Sequence, residues 1–223
     1  MLNAIITYGL LLLHYSLFFI AVKTTHESDG GHLRQILSGK AEAGILFNRM
    51  IAGVFFLGIG TAFVVTRINF NNDVFAFPVN KPGWIWIGLG IIAIIFGSVA
   101  GIKENSIHFS HSLPSYLPLS YLALRTLFLV IYEFFFRGAM LFLTVRDFGV
   151  AAAITINLIL YILAHWYDRK ERIGSIITGL IFCFLALHYQ SVWPAVIVHV
   201  ALSLAYETTL LTRYHSSTKK IRL

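Results

Sequence analysis

Residues 130–142 read VIYEFFFRGAMLF, a run of bulky apolar side chains with Glu133 and Arg137 in its middle. The fold turns on whether this segment lies in water or in lipid. A charged side chain at the centre of a bilayer costs about 2.5–3.5 kcal/mol on insertion scales. It is kept there where it faces a protein interior, usually with a partner. Glu133 and Arg137 are four residues apart and share one helix face, so each can partner the other.

The rest of the chain places the segment in lipid. Of 223 residues, 57% are hydrophobic and only 12% are charged, about half the charged share of an ordinary soluble domain. Mean hydropathy is +0.77. Apolar runs of membrane-spanning length recur, at roughly 3–22, 49–66, 84–102, 117–145, 148–166, 173–189 and 192–211. The expected fold class is therefore all-α, a polytopic transmembrane helical bundle of about seven spans. The first span lacks a positively charged leader and reads as a retained helix. Turn formers punctuate the connections, as ESDGG at 27–31 and FNNDVFAFPVNKPGW at 70–84.

Charge sets the orientation and excludes some functions. The net charge is +7, but the cations are scattered among loops, which argues against nucleic-acid binding. Seven spans put eleven of the 17 Lys and Arg residues on one side, in the loops 23–43, 103–116 and 167–172 and the tail, and only Arg67, Lys81 and Arg146 on the other. The positive-inside rule then expects a multi-pass protein of the cell membrane, with its N-terminus outside and its C-terminus cytoplasmic. The single Cys183 excludes an internal disulfide and a cysteine-rich metal site.

Two further spans carry polar stripes. Asn157, Tyr161 and His165 recur every four residues, as do His199 and Ser203, with Tyr206 three beyond. Three neighbouring spans with ionisable residues point to one buried polar site. Glu133 with a histidine can hold and deprotonate a water molecule, and a second histidine with a hydroxyl can donate to an oxyanion. That set suits amide hydrolysis without a covalent intermediate. Two histidines and one glutamate are also a zinc-ligand set, which makes zinc a candidate cofactor on Glu133, His165 and His199, although no HExxH motif is present.

Three short motifs resemble those of the CPBP family, the CAAX proteases and the bacteriocin-processing and abortive-infection proteins. Its Glu-Glu-x-x-x-Arg motif is matched by YEFFFRG, with Tyr132 in place of the first glutamate. Its Phe-x-x-x-His motif is matched by YILAH, with Tyr161 and His165. Its His-x-x-x-Asn/Asp motif is matched by HVALS, with His199 and Ser203. The resemblance covers roughly 116–208 and implies a four-helix catalytic-type core. Glu133 and His165 would activate water there, and His199 with Ser203 would hold the oxyanion. In the family the first glutamate is taken as the catalytic one, so Tyr132 is the departure; its phenol is expected to border the pocket and orient a water or a substrate carbonyl. The chain divides into N-terminal helices 1–115 without a recognised motif, a CPBP-like core 116–211 and a basic cytoplasmic tail 212–223. The expected activity is that of an intramembrane endopeptidase acting on a membrane-associated peptide or protein at the bilayer. The alternatives are a catalytically degenerate peptide-binding, immunity or scaffold protein, and a small transporter, for which the expected repeat symmetry is missing.

Overall fold

The computed structural model describes residues 2–23, 32–38, 42–67, 72–104, 117–166 and 169–221. The turn at 27–31 and Lys40 lie outside the described residues. The regular elements among the described residues are all helical: α1 (Leu2–Lys23), α2 (His32–Leu37), α3 (Ala43–Arg67), α4 (Trp84–Lys103), α5 (Leu117–Glu133), α6 (Leu141–Phe148), α7 (Val150–Ala164), α8 (Arg169–Tyr189) and α9 (Trp193–Ile221). A π-helical turn, Phe134–Met140, joins α5 to α6, making one 32-residue apolar run from Leu117 to Phe148.

Among the described residues, six helices are long and apolar enough to cross a bilayer. The protein is an integral, multi-pass membrane protein. The span expected at 148–166 is instead the 15-residue α7, about 22 Å long against a hydrocarbon thickness of about 30 Å. Gly149 breaks the chain ahead of it with a positive φ of 81°, a conformation glycine adopts without Cβ strain. His165 and Trp166 close its other end by donating to Ile162 O and Leu163 O. α9 runs ten residues beyond its expected end at 211, so most of the expected tail is helix. The short α2 and the 3-10 turn Asn72–Phe75 were not legible as elements.

The bundle is built by apolar faces that lipid cannot distinguish from protein, so close packing and buried hydrogen bonds hold it. α1 packs on α3, α3 on α5 and the π turn, α5 on α9, and α6, α7, α8 and α9 follow in sequence. Leu11, Leu57, Phe135, Phe136, Phe182 and Leu185 fill the centre. α4 lies along α9, where Gly97 and Gly101 let the two backbones approach. Its other face carries exposed Ile91, Ile92 and Ile95, as a lipid-facing helix requires.

Candidate active site

The π turn decides how the first motif is presented. A π turn widens the helix by one residue and recurs at functional sites. Here Leu141 N–H donates to Phe136 O, five residues back. Asn157 of α7 donates to the same carbonyl at 2.5 Å and accepts from Cys183 Sγ at 3.4 Å. The widened turn thus finds its extra hydrogen bond in a side chain of the polar stripe, tying α5, α7 and α8 together.

Glu133 and Arg137 are both fully buried, with Arg137 Nη1 3.3 Å from Glu133 Oε2. The contact is ionic without an aligned hydrogen bond. Arg137 is held from other sides as well: its guanidinium lies 3.9 Å over the Tyr161 ring and its Nη2 donates to Gly179 O at 3.4 Å. Arginine suits this place because its planar cation stacks on aromatic faces.

The second carboxylate oxygen of Glu133 accepts from His199 Nδ1 at 2.6 Å. His165 does not bond Glu133; its Nδ1 donates to Tyr161 O at 2.8 Å. His165 and His199 nevertheless share one cavity of about 580 Å³, whose wall also holds Tyr161, Phe182, Ser203 and Arg125. Tyr206 lines it too, and Arg34, Lys103, Glu104 and Glu171 stand around the same space. Glu133 itself is absent from the wall. Glu133 reaches the cavity through His199, because a buried carboxylate flanked by Arg137 and an imidazole is better compensated than one turned to an open space.

Tyr132 differs from its expected place. It is 4% exposed and is not a wall residue. Its ring packs edge-on against both imidazoles, with centroids 6.1 Å from His165 and 6.2 Å from His199. Its hydroxyl is buried without a hydrogen-bond partner among the described residues. A zinc site on Glu133, His165 and His199 does not fit this arrangement. No group of three His, Cys, Asp or Glu side chains is gathered for a metal among the described residues, and Glu133 is committed to His199 and Arg137.

Sequence reasoning missed a second, part-buried ion pair. Arg125 Nε donates to Glu207 Oε1 at 3.0 Å and its Nη2 to Ser203 Oγ at 3.1 Å, joining α5 to α9. The signal was available, since Glu207 continues the His199–Ser203 stripe at the same four-residue spacing.

Arg34 and Glu104 pair at 2.8 Å, and Arg213 donates to the carbonyls of Gly101 and Glu104. Cations from the α1–α2 region and from α9 thus gather at one end of α4. No curated protein and no solved structure matches the chain. Residues 114–205, which carry all three motifs and helices that line the cavity, match the model of the family described as Type II CAAX prenyl endopeptidase Rce1-like.

Proposed function

We propose that the domain is an intramembrane endopeptidase that hydrolyses an amide bond of a membrane-associated peptide or protein, with water activated by Glu133 and His199. The observation that carries this reading is the 2.6 Å hydrogen bond between a fully buried carboxylate and an imidazole standing in the cavity wall. Carboxylates and carbonyls accept, so Nδ1 bears the proton in both His199 and His165. Each neutral ring then has its lone pair at Nε2, the nitrogen left for the cavity. His199 Nε2 takes a proton from water as the water oxygen bonds to the peptide carbonyl carbon. Glu133 holds the ring in the required tautomer and stabilises the imidazolium that forms. The tetrahedral carbon then expels its nitrogen, which takes that proton from His199, leaving an acid and an amine. His165 Nε2 accepts a hydrogen bond from the same water and positions it.

The cation bias of the loops supports a cell-membrane location with the N-terminus outside and the C-terminus cytoplasmic. The description of the family makes a farnesylated peptide with a C-terminal CAAX sequence the first substrate to try. Full-length protein in liposomes should cleave a fluorogenic version of it, and His199→Ala and Glu133→Ala should abolish the cleavage. A wild-type protein inert toward this peptide and toward a library of unprenylated membrane peptides would sink the endopeptidase reading.

Tyr132 favours a second reading, in which the domain binds a membrane peptide without cutting it. The phenol stands at the family's first glutamate and packs against both imidazoles. If Tyr132→Glu switches on cleavage in an otherwise inert protein, the natural chain is a binder.

A further inference from the structure

We propose that the Arg34–Glu104 ion pair is a latch across the mouth of this cavity, carried by helices outside the matched segment. Neither residue lies within 114–205, yet both stand in the cavity wall. Lys103 at the end of α4 and Glu171 at the start of α8 are exposed wall residues and mark the mouth. Phe182 lies three turns further along α8, about 16 Å away, where its ring meets that of His199 at 5.1 Å. A molecule that reaches His199 from water at that end passes the mouth. There Arg34 Nη1 and Glu104 Oε1 meet at 2.8 Å and tie α2 to the end of α4.

Packing decides which part moves. α2 is firmly seated, with Leu33, Ile36 and Leu37 buried against Leu46, Tyr121 and Leu210. The end of α4 is fixed as well, because Arg213 of α9 donates to the carbonyls of Gly101 and Glu104. The two side chains that meet between these helices are partly open to water, at 24% and 15% exposure. An ion pair with access to water favours its closed form by at most about fivefold. The bridge therefore parts often while both helices stay in place, and a chain entering the cavity passes through the gap that the two side chains leave.

The latch controls access whether or not the cavity cuts peptides; only its effect on turnover rests on the endopeptidase reading. Thr178 is a wall residue between Glu171 and Phe182 on α8. Thr178→Cys is made in the full-length protein carrying Cys183→Ser, and its modification by a cationic and an anionic methanethiosulfonate is timed in detergent. Adding Arg34→Ala or Glu104→Ala should raise the rate about two- to fivefold with both reagents, with melting curves near that of the parent. Arg34→Lys, which keeps the charge, should fall between. In about 1 M salt, where charges are screened beyond about 3 Å, the parent should approach the Ala variants, and these should change little. Removing one charge alters the attraction of the two reagents in opposite senses. Acceleration of one reagent only, or of neither, therefore overturns the proposal. Ile36→Cys, at a position 6% exposed, should stay unreactive in the Arg34→Ala protein; if it reacts together with Thr178→Cys, α2 itself lifts and the latch is refuted. If the farnesylated peptide stays uncut by the wild type and every variant while the labelling rates shift as stated, the endopeptidase reading fails and the latch stands.

Discussion

Glu133 Oε1 accepts from His199 Nδ1 at 2.6 Å while Glu133 Oε2 lies 3.3 Å from Arg137 Nη1. One buried carboxylate thus joins the end of α5 to the second turn of α9 and neutralises the cation one turn ahead of it. Removing either member of the Glu133–Arg137 pair leaves a charge without its compensation.

The first prediction tests that coupling. Arg137→Ala should destabilise the protein by about 3–5 kcal/mol, the cost of breaking a buried pair. Glu133→Gln should cost less, because Arg137 keeps the Tyr161 ring and Gly179 O. Glu133→Gln combined with Arg137→Met should be more stable than the sum of the single effects. Melting in detergent micelles would show this, and strict additivity would refute the coupling.

Tyr132→Phe removes a hydroxyl that has no partner among the described residues. Stability should stay level or rise, by up to about 1 kcal/mol, because a buried unsatisfied group is costly. Cleavage of the farnesylated peptide should remain within about twofold of wild type. A large loss of turnover would mean that the phenol meets substrate after all.

His165→Ala acts at the cavity wall. It should remove turnover with a melting temperature near that of wild type, since the side chain makes a single hydrogen bond to the neighbouring turn of its own chain. A collapse in melting temperature together with turnover would make His165 a packing residue.

A Cβ on Gly97 would overlap the backbone carbonyl oxygen of Leu202, whereas Gly88 has nothing within 4 Å. Gly97→Ala should therefore push α4 off α9 and cost about 1–3 kcal/mol, as overpacking does. Gly88→Ala should be neutral. The pair of melting curves decides whether α4 is docked where the fold places it.

With α7 crossing as a seventh span, as the cation bias of the loops requires, reporters fused to the two termini should report opposite faces of the membrane. The outcome hinges on α7. If this 15-residue helix enters the bilayer without crossing it, both reporters fall on one face.

The amino-acid sequence by itself determined that this is a helical membrane protein, because twenty-residue apolar runs have no other stable home. It also singled out Glu133, Arg137, His165 and His199, because ionisable residues are costly in lipid and are kept there where they have partners. Periodicity assigned Asn157, Tyr161 and His165 to one helix face. It could not show that Asn157 serves the π turn, since the carbonyl it meets is 21 residues away in the chain. Which imidazole pairs with Glu133 was likewise beyond the sequence. The resemblance assigned water activation to Glu133 with His165, and the tertiary structure places His199, 66 residues distant, against the carboxylate. The Arg125–Glu207 pair shows the same limit. Each residue sits on a legible stripe, but two stripes become a site only when α5 and α9 are packed side by side, and that packing depends on how all the helices fill space together.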